Sequence, residues 1–145
     1  GVFSLLKIFD EIVINCHLSI IGKIEKVRSN NNKVSYIGHG YDAPTLIKIY
    51  DSHNISILPS FTEAHPKVID ESLARARPVI IFEEIKHIIQ NRKGIFVSKR
   101  NVKSLLETID FIMKNYVSIQ ESMKENKLPT KKEFISQMNK ILSSN

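Results

Sequence analysis

Cysteine occurs once in the 145 residues, at Cys16. A single cysteine excludes an internal disulfide and suits a reducing compartment. No apolar run approaches the roughly 18–20 residues of a membrane span, and no signal peptide is apparent. Gly1-Val2-Phe3-Ser4-Leu5-Leu6 has neither a start methionine nor a basic n-region. The chain is therefore expected to begin partway through a larger protein, cytoplasmic or at the cytoplasmic face of a membrane. A Gly-x-Gly-x-x-Gly fingerprint is also missing, which disfavours an ordinary dinucleotide-binding enzyme. Charge is unbalanced, with 21 Lys and Arg against 15 Asp and Glu and a formal net of +6. Yet the basic residues are scattered and the aromatics do not alternate with them as on a stacking platform, which argues against nucleic acid as a partner. A solvated lysine-rich surface accounts for the excess. Phosphates of a small ligand, or acidic lipid headgroups in a peripheral membrane association, could also use it.

What is present is ordinary for one soluble domain: 42% apolar and 25% charged residues. Val2, Leu5, Leu6, Phe9, Ile12 and Val13 fall at helical spacing and predict an opening amphipathic helix. His17 to Gly22 and Lys33 to Gly38 read as strands ending at glycine, separated by a polar loop at Ser29-Asn30-Asn31-Asn32. A helix is predicted over Thr45 to His53, with Leu46, Ile49 and Tyr50 inward, then a strand over Ile55 to Pro59. Pro66 to Ala76 reads as the next helix and Pro78 to Phe82 as a strand, its proline at an acceptable first position. A short helix over Glu84 to Gln90, a brief strand over Gly94 to Val97 and a strong helix over Asn101 to Tyr116 follow. In that last helix Val102, Leu105, Leu106, Ile109, Ile112 and Met113 are expected on one side. The charged helical tail is broken at Leu128-Pro129-Thr130, where Thr130 and Glu133 form a capping box. Alternating strands and helices predict an α/β fold: one Rossmann-like parallel sheet with helices on both faces.

The chemistry gathers after the third strand, in Pro59-Ser60-Phe61-Thr62-Glu63-Ala64-His65-Pro66-Lys67-Val68-Ile69-Asp70-Glu71. Open α/β sheets bind ligands at the carboxyl ends of their strands, and Gly22, the Gly38-His39-Gly40-Tyr41 loop and this segment all follow strands. Helical geometry places Glu71 about 140° from the sheet-facing side of its helix, so no core role is forced on it. It either points into a ligand crevice, accepting hydrogen bonds from vicinal hydroxyls, or is an exposed glutamate paired with Arg75. The start of the same helix, Ala64 to Lys67, offers backbone N–H groups to a phosphate or sugar oxygen. Pro66 removes one such donor, and Lys67 opposes the helix dipole unless an anion is near.

From Gly1 to about Tyr116 the chain resembles the C-terminal, donor-binding domain of the retaining GT-B glycosyltransferases, family 4 (glycosyl transferases group 1). The signature elements are Leu58-Pro59-Ser60, Glu63, Glu71 with seven residues between the two glutamates, Leu73-Ala74, and Pro78-Val79-Ile80, in that order. The glycine-ended strands, the Leu46 and Tyr50 helix and Gly94-Ile95-Phe96-Val97 fit the same pattern. The resemblance implies that Glu63 serves catalysis by contacting the donor-sugar hydroxyls, and that Glu71 holds the nucleotide ribose. It sets the base near Gly38, His39 and Tyr41, with Gly22 on the same donor-binding edge. Backbone at Ala64, His65, Pro66 and Lys67 faces the sugar and diphosphate. Such enzymes usually retain anomeric configuration, most simply by front-face attack. The donor is a substrate, so no cofactor is implied, and without an Asp-x-Asp motif no divalent cation is implied either.

Departures from the pattern carry consequences. The usual Gly-Phe-Gly after the first glutamate is here Ala64-His65-Pro66, which changes how backbone amides reach the donor. A glycine common before Pro-Val-Ile is replaced within Ala74-Arg75-Ala76-Arg77. Lys23 follows Gly22 where a second glycine is frequent. The family's first strand of this domain, with its diphosphate-neutralising Arg and Lys, would precede Gly1, as would the acceptor-binding domain. The expected organisation is thus a donor-binding domain over 1–116 lacking its first strand, with a helical extension over 117–145 packing on it. Alone it is expected to be inactive. The other reading is a non-catalytic glycosyltransferase-like domain that binds a nucleotide or a partner protein.

Overall fold

The computed structural model describes residues 1–23 and 29–143. In chain order the elements are α1 (Val2–Asp10), β1 (Leu18–Ile21), β2 (Val34–Gly38), α2 (Ala43–Asp51), β3 (Ser56–Leu58), α3 (Lys67–Ala74) and β4 (Val79–Phe82). A 3-10 helix (Glu83–Ile89), β5 (Ile95–Ser98), α4 (Val102–Lys114), α5 (Tyr116–Met123) and α6 (Lys131–Ser143) complete it. All strand pairings are parallel, as the alternating pattern predicts. The single sheet is not: β1 pairs with β2, and separately β3, β4 and β5 pair with β4 in the middle. Among the described residues, β1 and β3 each keep one edge without a ladder partner.

β4 explains where the core sits. Val79, Ile80, Ile81 and Phe82 are all buried, the unbroken apolar run of a parallel strand covered on both faces. Leu5, Ile8 and Phe9 of α1, Ile69 and Leu73 of α3, and Leu105 and Ile112 of α4 pack in the same cluster. By contrast β2 is only half-buried along its length, as befits an outer strand. Val13 falls beyond the end of α1 and is exposed, against its expected inward place. Met113 likewise lies outward, because the buried stripe of α4 runs through Leu105 and Ile112.

Helix boundaries follow local capping chemistry. Asp42 caps α2 by accepting from the Thr45 N–H at 3.0 Å, and Asn101 caps α4 by accepting from Ser104 N–H at 2.9 Å. The long helix predicted to Tyr116 instead breaks at Asn115, whose backbone leaves the helical region, and α5 starts afresh. Ile119 and Met123 of α5 are buried in the core cluster. Gly94 makes that packing possible. Its φ is +89°, and a Cβ there would overlap the Met123 side chain. At the start of α6 the Thr130–Glu133 box forms reciprocally, Glu133 N–H donating to Thr130 Oγ1 at 3.2 Å and Thr130 N–H to Glu133 Oε2 at 2.9 Å. Among the described residues no helix is long and apolar enough to cross a membrane.

Candidate functional site

The loop from Pro59 to Pro66 joins the carboxyl end of β3 to α3, and its internal bonds fix the first glutamate. Glu63 is half-buried, and its Oε1 accepts from the Ser60 hydroxyl at 2.7 Å. Its backbone carbonyl lies 2.9 Å from His87 Nε2, so the loop is also tied to the 3-10 helix. Two residues on, His65 Nε2 stands 3.2 Å from Asp70 Oδ2. Asp70 in turn accepts from Arg92 Nη1 at 2.7 Å, with both of these side chains largely buried. The loop is thus tied to α3 through its histidine.

α3 begins one residue later than the sequence suggests. Pro66 is the N-cap, buried and extended, and Lys67 is the first helical residue. Its fixed φ is compatible with that place, and its missing N–H falls before the helix rather than inside it. Ile69 N–H already bonds to the Pro66 carbonyl at 3.1 Å. Ala64, His65 and Lys67 are exposed around this turn.

Glu71 faces α2. Its Oε2 accepts from the Tyr50 hydroxyl at 3.1 Å. The alternative partner, Arg75, is taken elsewhere. It forms a bidentate pair with Asp51, at 2.9 Å through Nε and 2.6 Å through Nη2. A planar guanidinium prefers such a two-pronged carboxylate to the looser geometry of a neighbouring helical turn. Burial first, then the negative charge of Glu71 and their hydrogen bond, push the Tyr50 hydroxyl's pKa well above the ordinary tyrosine value. Tyr50 therefore remains a neutral donor.

Neither Glu63 nor Glu71 has a cationic partner among the described residues. Each is held by one hydroxyl. An ionised carboxylate offers about four lone-pair sites, so each retains acceptor capacity after that bond. This arrangement suits the binding of polyhydroxylated ligands, whose O–H groups donate.

Gly22 and Gly38 stand at the carboxyl ends of β1 and β2, and both have positive φ, +148° and +92°. At Gly38 this conformation turns the chain into the exposed loop carrying His39 and Tyr41. The Tyr41 hydroxyl folds back onto the Ile37 carbonyl. A shallow depression of about 300 Å³ lies elsewhere, between β5 and α4, lined by Phe96, Val97, Ser104, Glu107, Thr108 and Phe111. It includes none of the predicted site residues. Its walls are mostly apolar, whereas the chemistry sits with the glutamates.

Sequence reasoning missed Tyr50 as a partner, because 21 positions separate it from Glu71. It also assigned no task to Ser60, Asp70, His87 or Arg92. For Ser60 a local signal did exist: a hydroxyl three residues before a glutamate in a tight loop.

Residues 1–115 match the family described as Glycosyl transferases group 1. The chain belongs to that family. No curated protein matches it. Solved structures do. Sucrose-phosphate synthase from Thermosynechococcus elongatus superposes with a TM-score of 0.77 at 17% identity, covering 99% of this chain and 42% of that one. HepE from Anabaena, solved in complex with UDP, gives 0.70 at 15% identity, covering 100% of this chain and 45% of that one. At such identities the likeness speaks for fold alone. This glycosyltransferase-family chain has the α/β fold of GT-B enzymes and spans less than half the length of the solved structures it matches.

Proposed function

We propose that this chain is the nucleotide-sugar-binding half of a retaining glycosyltransferase. The complete enzyme transfers a sugar from a nucleotide-diphosphate donor to a glycan or lipid-linked acceptor, in the assembly of a cell-surface polysaccharide or glycolipid. One observation carries this reading: Glu63 and Glu71 are each oriented by a neutral hydroxyl and, among the described residues, left without a counter-cation. Carboxylates in that state accept charge-assisted bonds from sugar and ribose hydroxyls, worth roughly 1.5–3 kcal/mol each. Glu63 orients the donor sugar, and Glu71 holds the ribose through the lone pairs that Tyr50 leaves open. His39 and Tyr41 flank the base, with Gly22 and Gly38 letting the backbone turn there. Ala64, His65, Pro66 and Lys67 face the diphosphate and sugar. A neighbour of the same fold, HepE, was solved with UDP, which supports a nucleoside diphosphate as the ligand class.

The divided sheet supports the accompanying view of the domain. In the doubly wound order 3-2-1-4-5-6, removing strand 1 leaves the pairs 3-2 and 4-5-6. The strands here pair as β2-β1 and β3-β4-β5, which is that arrangement. On this view a basic strand that neutralises the departing diphosphate belongs between β1 and β3, and the acceptor is bound by a further domain. The chain alone then binds donor without transferring sugar. The bracing of His65 by Asp70 favours a second reading, a donor-like fold that binds a nucleotide or partner without catalysis.

Thermal-shift measurements with UDP-, GDP- and ADP-sugars, against the same free sugars, test the proposal. Stabilisation by the nucleotide forms alone is expected. Stabilisation by none of the panel favours the partner-binding form of the second reading, and sugar transfer by this chain on its own overturns the division of labour.

A further inference from the structure

Arg100 follows β5 by two residues, and no sequence pattern assigns it a role. Its guanidinium uses all five N–H donors. Nε–H donates to Glu84 Oε1 at 2.9 Å, and Nη2 donates to Glu84 Oε2 at 3.2 Å and to the Ser60 carbonyl at 3.1 Å. Nη1 donates to Ser4 Oγ at 2.9 Å and to the Pro59 carbonyl at 3.1 Å. Both faces of the plane are covered too. Its central carbon lies 4.0 Å from the centroid of Phe61 and 4.1 Å from that of the fully buried Phe82. Arginine has five donors and no acceptor, so none is left for a phosphate.

We propose that Arg100 is a positioning residue for Glu63, locking the Pro59–Phe61 backbone from which Ser60 holds that carboxylate, and that it is not an anion ligand. The inference rests on the donor-binding reading only for its consequence, which is loss of the donor-sugar contribution to affinity. The path is short. Arg100 fixes the carbonyl of Ser60, and the Ser60 hydroxyl donates to Glu63 Oε1. Phe61, half-exposed at 51%, gains its place by stacking on the guanidinium. The same cation reaches α1 through Ser4 and the 3-10 helix through Glu84, so the loop is referenced to two further elements. Lysine cannot substitute, having three donors on a point charge and no plane to stack.

Backbone 15N relaxation of the Arg100→Lys chain tests this directly. Order parameters at Thr62, Glu63 and Ala64 are expected to fall from the rigid range of about 0.85 toward about 0.6 or below, while those of Leu105 to Ile112 in α4 keep their values. Unchanged order parameters in the loop overturn the proposal. Should Arg100→Lys fail to fold, Glu84→Gln gives the decision, because it removes the charged anchor at an exposed position. A smaller fall confined to the loop is expected there, and the absence of any fall overturns the proposal. The consequence is read from UDP and UDP-glucose: the ratio of their affinities should fall about threefold in Arg100→Lys with UDP binding unchanged. An unchanged ratio in a loosened loop refutes the consequence. Failure of the unsubstituted chain to bind either compound counts against the donor-binding reading and leaves the relaxation result standing.

Discussion

Tyr50 of α2 donates its phenolic hydrogen to Glu71 of α3 across 3.1 Å, linking the helix before β3 to the helix after it. The bond fixes one oxygen of Glu71 and leaves the other open. It also ties the proposed ribose clamp to a side chain that nothing near Glu71 in sequence would disclose. Tyr50→Phe is expected to weaken nucleotide-sugar binding several-fold without unfolding the chain, because the lost bond to a charged acceptor is worth roughly 1.5–3 kcal/mol and solvent recovers part of it. Calorimetric titration of parent and variant checks this.

The same tyrosine gives a spectroscopic signature. Burial, then the Glu71 charge and hydrogen bond, raise its pKa, so the folded state favours the neutral phenol. With a raised folded value, that contribution to stability is complete below the usual tyrosine pKa of about 10 and is lost as pH climbs above it. In an absorbance titration at alkaline pH, Tyr50→Phe should remove one tyrosine ionisation that falls above the usual value of about 10. Loss of an ionisation at the ordinary tyrosine value in that difference titration would contradict the bond.

Acid should act on the Arg100 junction. The Arg100 hydrogen bond holds the Glu84 carboxyl below the ordinary glutamate range. For a depressed carboxylate the stabilisation is present above the unfolded pKa of about 4.3 and disappears as pH falls through the folded value. Between pH 6 and acid, the melting temperature of the parent should therefore drop more than that of Glu84→Gln. Parallel curves would show that the pair contributes nothing.

Gly94→Ala probes the seat of α5. The new methyl group meets Met123, and the backbone there already sits at φ +89°. A loss of about 1 kcal/mol or more is expected in urea denaturation, since a residue other than glycine strains this conformation. Met123→Ala in the same background relieves the overlap but not the backbone strain, so recovery should be partial.

Much of this fold was legible in sequence because its signals are local. Short Ile- and Val-rich runs ending at Gly22 and Gly38, the proline before Val79 and the Thr130–Glu133 box each need only a few neighbouring residues. The glutamates were legible by spacing and by the Pro59-Ser60 strand end before them. The division of the sheet was not, because ladder partners are chosen across the chain. Nor was the break at Asn115, where the apolar stripe of α4 gives no warning. The partners Tyr50 and Arg100 escaped for the same reason: 21 residues separate Tyr50 from Glu71 and 40 separate Arg100 from Ser60. Hydrophobic pattern predicts which face is buried. It does not say which hydroxyl or guanidinium arrives there.

Calorimetric binding of UDP-, GDP- and ADP-sugars to the parent chain and to Glu71→Ala decides whether Glu71 holds the ribose. The expected result is ribose-dependent binding that the substitution weakens about tenfold or more, equivalent to about 1.4 kcal/mol. Binding of equal strength by the two chains would contradict the assignment of Glu71 as the ribose clamp, and with it the donor site built around the two glutamates.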